Sequence, residues 1–276
     1  MISTSESSPE FFQSVLLRQS DALSKSVPPF RITFDPTRER TAVIVEPRRH
    51  PMLRAVVDNV MSFLGEAWNL HVFTASENRE WLKETLAPHH YQVSYLNLAN
   101  LTREQYSQLL MTVGFWETIA TEHILIFQTD VIVFREWNPL FELYDYIGAN
   151  YYHPDDVFPP VYYGEPIGGI QGGLSYRKKS AMIQCLREVS EDDVNAYRGV
   201  FGHHTLKKPM VEDVYFTHAA AILRKKLPPI PLRPIFGIEA VYYATPFGFH
   251  GWNRPYFSDQ ESRELILASK RLREWA

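Results

Sequence analysis

Apolar residues in this chain follow two periods in turn, and their alternation predicts the fold. Residues 9–23 carry apolar positions at helical spacing. A linker, Val27-Pro28-Pro29-Phe30, and a charged stretch, Arg38-Glu39-Arg40, follow. Residues 41–46 form a short apolar run, predicted as a buried strand. Residues 51–64 then put Leu53, Val56, Val57, Val60, Met61 and Leu64 at helical spacing and stop at Gly65. The alternation continues with a strand at 70–74, a helix at 78–86 stopped by Pro88, and a strand at 91–98. A helix from Thr102 to about residue 120 follows, with Thr102 or Asn100 as its N-cap. Next comes the run His123-Ile124-Leu125-Ile126-Phe127, interrupted by the polar triplet Gln128-Thr129-Asp130 before Val131-Ile132-Val133-Phe134 resumes it. Short strands alternating with helices of ~10–15 residues predict an α/β domain, a mixed, mostly parallel sheet flanked by helices. In such sheets ligands bind beyond the carboxyl ends of the strands, where Asp130 falls.

The second half is less regular. Residues 151–164 are aromatic, Pro-rich and without period, as expected of a binding loop or lid. A glycine cluster (Gly168, Gly169, Gly172, Gly173), a helix around Cys185, and a helix opened by Glu212-Asp213 follow. A strand-like stretch at 236–244 leads to Phe247-Gly248-Phe249-His250-Gly251-Trp252, and residues 261–275 read as an amphipathic helix. No linker divides 41–255. The expected organisation is an N-terminal extension with a short helix (1–40), one catalytic domain (41–255) and a C-terminal helix packed on it (256–276).

Composition narrows the function classes. The 276 residues include 32 acidic and 28 basic side chains, with no basic stripe, which argues against nucleic acid as a partner. The lone Cys185 excludes an internal disulfide and suits a reducing compartment. No stretch reaches the ~18 apolar residues of a membrane span. The N-terminus lacks the pattern of a signal peptide, so the expected location is cytoplasmic.

Three polar groups stand where the local pattern is apolar: Asp130, the pair Glu212-Asp213, and His250. Each has a structural alternative. For Asp130 it is a turn cap, for the acidic pair a favourable helix dipole, and for His250 a satisfied buried histidine. Their order along the chain adds information. Phe127 to Asp130, then Asp145-Tyr146-Ile147-Gly148-Ala149, Gly172-Gly173-Leu174-Ser175, Glu212-Asp213-Val214 and His250-Gly251 together resemble the nucleotide-sugar glycosyltransferases of the GT-A fold. They look most like inverting enzymes with a DxD-like triplet, and within these like a soluble glycosyltransferase-like family carrying a Gln-Thr-Asp variant. The resemblance covers roughly residues 41–255.

The resemblance implies a GT-A-like (Rossmann-like) fold and an inverting, metal-dependent transfer. The sugar would pass from a nucleoside-diphosphate sugar, UDP-sugar before GDP-sugar, to an acceptor hydroxyl on a glycan, protein or small molecule. It implies Asp130 and His250 as ligands of Mn²⁺, or Mg²⁺, against the diphosphate. It implies Asp213 as the base that takes the acceptor proton, with Glu212 orienting the acceptor, the two roles being exchangeable. Gly172 and Gly173 would let backbone approach the sugars. Glu46 and Arg48 after the first strand, and Thr74 at the end of the second, fall where this fold places the nucleotide. Tyr163 and Trp252 are candidates for stacking on sugar rings of the acceptor. Gln128 departs from the pattern, a neutral amide where relatives carry a first carboxylate, suited to the ribose or to a metal-bound water.

Two rivals follow from the same residues. One is a catalytically inactive sugar-nucleotide or carbohydrate binder on this fold, suggested by Gln128. The other is a metal-dependent hydrolase using Asp130, His250 and His203-His204, which needs more clustered ligands than the sequence offers. A P-loop kinase and a dinucleotide oxidoreductase are excluded by the absence of their glycine signatures.

Overall fold

The computed structural model describes residues 8–26, 30–151, 161–162, 165–166, 169–201 and 204–275. The strands are β1 (Arg40–Val45), β2 (Trp68–Ala75), β3 (Gln92–Leu96), β4 (His123–Phe127), β5 (Val131–Val133), β6 (Tyr146–Tyr151), β7 (Val161–Tyr162), β8 (Glu165–Pro166), β9 (Gly169–Lys178), β10 (Gly237–Ile238) and β11 (Gly248–His250). The helices are α1 (Ser8–Lys25), α2 (Leu53–Leu64), α3 (Arg79–Thr85), α4 (Arg103–Leu110), α5 (Val113–Thr118), α6 (Lys179–Glu188), α7 (Glu191–Val200), α8 (Glu212–Ile222), α9 (Arg233–Phe236), α10 (Asp259–Ala268) and α11 (Lys270–Trp275).

Among the described residues nine strands form one sheet in the order β3-β2-β1-β4-β9-β6-β10-β11-β5. The β3-β2-β1-β4 half is parallel, as its helical crossovers require. The expectation of a mostly parallel sheet is corrected beyond β4. The ten-residue β9 runs antiparallel to both β4 and β6, and β5 runs antiparallel to β11, so the sheet is mixed. The chain returns through β9 between β6 and β4, and this antiparallel return sets the β9 glycines at the carboxyl end of β4, beside the Asp130 triplet. The result is an α/β domain with a mixed sheet and helices on both faces, consistent with a Rossmann-like arrangement.

Alternation in the buried strands builds both cores. Ala42 and Ile44 of β1, with Leu125 and Phe127 of β4, face one cluster with α1 and α2. Val43, Val45, Ile124 and Ile126 face the other, with α5, α6 and α8. The α1 helix is part of the first core, with Phe12, Val15 and Leu16 buried. Asn59 joins it to the sheet. Its side-chain amide donates to Gln19 Oε1 (3.1 Å) and to the Val133 carbonyl (3.0 Å), while its Oδ1 accepts from the Val133 amide (2.7 Å).

Several expected elements divide. The helix expected from Thr102 to about 120 is two, because Thr112 restarts the chain by capping the Phe115 amide (3.3 Å); Thr102 is the N-cap of the first, in a capping box with Gln105. The C-terminal helix is also two, α10 and α11, with a break at Ser269. Gly172-Gly173-Leu174-Ser175 lies inside β9, where the pairing with β6 jumps from Ser175–Gly148 to Gln171–Ala149 and leaves a bulge. The expected strand at 236–244 contracts to Gly237–Ile238.

Candidate active site

A cleft of about 850 Å³ opens at the carboxyl ends of β1 and β4. The strand order reverses there, since β2 and β3 lie on one side of β1 and β4 on the other. Glu46, Arg48, Gln128, Asp130, Gly173, Glu212, Asp213 and His250 all line it, together with Glu239 and Arg254. A second depression, about 800 Å³, lies beside Arg31, Lys83 and Pro88 near the start of β3 and contains none of these groups.

One corner is built by the two strands β5 and β11. The turn at the end of β4 closes through the Val131 amide on the Gln128 carbonyl (3.1 Å), and β5 then pairs Val131 with His250. Gly251, at φ 83°, bends the following loop back so that the Gly251 and Trp252 amides donate to the Asp130 carbonyl (2.9 and 3.3 Å). The imidazole of His250 thereby stands between three groups. Its Nε2 is 3.5 Å from Asp130 Oδ1 and 3.2 Å from Gln128 Oε1, and its Nδ1 is 3.4 Å from Glu239 Oε2. Burial alone would lower the His250 pKa; Glu239 and Asp130 outweigh it, and the net shift is upward.

This corner fits a divalent ion in part. Two neighbouring ligands about 2.1 Å from one octahedral ion lie ~3 Å apart, so the Asp130 Oδ1 to His250 Nε2 separation of 3.5 Å needs a small closure to share one ion. A carboxylate behind the other ring nitrogen, here Glu239, is the usual support of a metal-bound histidine. Among the described residues no group of three or more His, Cys, Asp or Glu side chains is disposed around one ion. Any remaining ligands would come from Gln128, a bound ligand or water.

The opposite corner is the start of α8. Glu212 is 4% exposed, and its Oε1 accepts from Arg177 Nη2 (3.2 Å). Arg177 is fully buried, donates through Nε to Ser175 Oγ (2.9 Å), and sits against the rings of Tyr146, Phe216 and Trp116 at 4.9, 5.4 and 5.7 Å. Asp213 accepts the Val214 amide on Oδ1 (2.7 Å). Burial, and then the adjacent Glu212 carboxylate, push the Asp213 carboxyl up to about 7, against the Val214 amide, Arg177 and Arg103, which pull it down.

The β9 bulge serves both corners. A Cβ on Gly172 would stand 2.0 Å from Glu212 Oε1, and one on Gly173 would stand 2.1 Å from His250 Nε2. Both glycines therefore make room for protein side chains.

At the end of β1, Arg48 grips Glu46 through two bonds of 2.7 Å. Thr74 is fully buried and Trp252 is 5% exposed, and neither lines the cleft. Burial in the core explains why each strand-end or aromatic signal pointed elsewhere. Tyr163 and His203 lie outside the described residues.

Sequence reasoning missed Glu239 and Arg177. Glu239, 1% exposed, follows β10 directly, as Asp130 follows β4, so an acid after a Gly-Ile pair was the available signal. Arg177 sits beside Lys178 at the end of a strand of mixed composition, and only the topology pairs it with Glu212.

A search of curated proteins gave no match to the chain. A family profile does match, over residues 90–250, a span that holds Asp130, the β9 glycines, Glu212, Asp213, Glu239 and His250. That is more than half of the chain, and the protein thus belongs to the family described as "Protein of unknown function (DUF5672)".

Proposed function

We propose that this chain is an inverting, metal-dependent glycosyltransferase of the GT-A kind, moving a sugar from a nucleoside-diphosphate sugar, UDP-sugar first, to an acceptor hydroxyl. One observation carries the reading. A single cleft holds a pair suited to a divalent ion, Asp130 and His250, and a separate buried carboxyl, Asp213, whose pKa is raised toward neutrality.

Asp130 Oδ1 and His250 Nε2 would hold Mn²⁺, or Mg²⁺, with Glu239 fixing the imidazole and Gln128 beside it. The ion's contribution when bound is to neutralise charge that develops on the departing diphosphate. Glu46 and Arg48 line the β1 side of the same cleft, which suits the nucleoside part. Asp213 takes the acceptor's proton as the new bond forms, a role that needs its ionised state. Glu212 is held in place by Arg177, which suits it to orienting the acceptor.

Thermal-shift measurements with UDP-, GDP- and dTDP-sugars, with and without Mn²⁺, followed by donor turnover, test the reading. Stabilisation that requires Mn²⁺ and is lost in Asp130→Ala is the expected result. No stabilisation by any nucleotide sinks it, and a product of retained anomeric configuration removes Asp213 from its role. Gln128 in place of a first carboxylate favours one second reading, a binder without turnover. That reading predicts nucleotide binding with no sugar release from any donor.

A further inference from the structure

Among the described residues four arginines line the cleft, and they differ in what neutralises them. Arg48 is bound by Glu46, and Arg254 donates to Glu239 Oε1 (3.1 Å). Arg103, exposed at the start of α4, acts on the Asp213 carboxyl. Arg198, near the end of α7, has no carboxylate within ion-pair distance among the described residues. It is half-buried, and its Nε is buried without a hydrogen-bond partner.

What holds Arg198 is a neutral group. Its Nη1 lies 3.2 Å from His218 Nε2, and His218 Nδ1 lies 2.7 Å from the Val214 carbonyl. A carbonyl only accepts, so Nδ1 carries the imidazole proton and Nε2 accepts from the guanidinium. His218 thus orients Arg198 and leaves its full charge in place. Burial is the sole resolved influence on the Arg198 pKa, and it acts downward. A half-buried cation with no counter-charge is costly unless a ligand supplies one. His218 sits on α8, the helix that Asp213 opens, five residues further on, so the cation belongs to the Asp213 side of the cleft.

We propose that Arg198, held by His218, binds an anionic group, a carboxylate or phosphate, on the acceptor. The inference deepens the transferase reading and rests on it for the word acceptor; the anion site itself rests on Arg198 alone. A guanidinium fork suits either anion in a two-point contact, and its half-buried setting strengthens that contact over one in open water.

Titration calorimetry on the full chain decides it, with glucose 6-phosphate, methyl glucuronide and neutral methyl glucoside as probes, with and without UDP and Mn²⁺. At least one anionic sugar is expected to bind the wild type about tenfold or more tighter than the neutral one. Arg198→Gln is expected to abolish the difference, and the two anionic arms tell phosphate from carboxylate. Arg198→Met, which keeps the packing of the stem, decides the matter if the glutamine variant fails to fold. Equal binding of all three sugars by the wild type, or discrimination undiminished in the variants, overturns the proposal. Discrimination through Arg198 in a protein that binds no UDP supports the anion site and overturns the donor reading. UDP binding with no discrimination does the reverse.

Discussion

Replacing Asp213 with asparagine removes one carboxylate from a buried pair, and two effects of opposite sign follow. Transfer is expected to fall by about 10²–10⁴-fold, since no base remains for the acceptor proton. Stability is expected to rise, and to rise more as the pH goes up. The folded-state pKa of Asp213 is about 7, above its unfolded value near 3.8, so the folded protein holds more protons between those limits. Its contribution to stability is full below the unfolded pKa and is lost as pH rises through about 7. Asp213→Asn should therefore raise the melting temperature at pH 8 by roughly 2–4 °C, the equivalent of about 1 kcal/mol for a chain of this size, and less at pH 5. Wild-type transfer should climb with pH through about 7 as the base ionises. A melting temperature that responds equally at both pH values would detach the shift from Asp213. Glu239 gives a separate residue-scale test. Glu239→Gln keeps the shape and loses the charge behind His250, and Mn²⁺ affinity, read by electron paramagnetic resonance, should weaken by about 10–100-fold.

Among the elements, β9 and its bulge decide how the two corners meet. Gly173→Ala puts a methyl group 2.1 Å from His250 Nε2, so the imidazole must leave its place between Asp130 and Glu239. The expected outcome is loss of Mn²⁺-dependent stabilisation by nucleotide, with the circular dichroism spectrum unchanged. Gly114, in α5, has nothing within 4 Å of an added Cβ, and Gly114→Ala should stabilise by about 0.5–1 kcal/mol in a denaturant melt. These elements also mark how far the sequence was legible. The strands β1, β2 and β4 could be read as short apolar runs, α2 from apolar residues at helical spacing, and α8 from the acidic pair that opens it. So could the Asp130 turn, because a polar triplet breaks an apolar run. The β9 strand was hidden because its glycines look like a turn and its pairing is non-local. Glu239 was hidden because the strand before it has only two residues. Arg177 could not be placed from its neighbours at all, since its partner is 35 positions away.

At the scale of the whole molecule, the N-terminal helix is tied into the structure that carries Asp130. Through Asn59, Gln19 of α1 is joined to Val133 of β5, and β5 begins at the residue after Asp130. A buried ion pair reinforces the same face. Asp58 of α2 accepts from His89 Nε2 (2.7 Å) and Arg54 Nε (2.5 Å), and the Ile32 amide donates to His89 Nδ1 (3.2 Å). Deleting residues 1–26 uncovers Phe12, Val15 and Leu16 and the core beneath them, so it should lower the melting temperature and the soluble yield together. An unchanged melt would show the helix to be dispensable. No helix among the described residues is long and apolar enough to cross a membrane.

Trp116 is fully buried, with its indole nitrogen donating to the Leu110 carbonyl (2.8 Å), and the guanidinium that grips Glu212 lies 5.7 Å from its ring. The emission of that indole depends on the charge beside it. The chain thus contains its own optical gauge of the acid pair. Filling of the α8 corner, or ionisation of Asp213 beside Glu212, should appear as a change in tryptophan fluorescence. That change should disappear in Trp116→Phe, although five other tryptophans remain. Ligands for this side of the cleft can therefore be sought by light before any product has been identified.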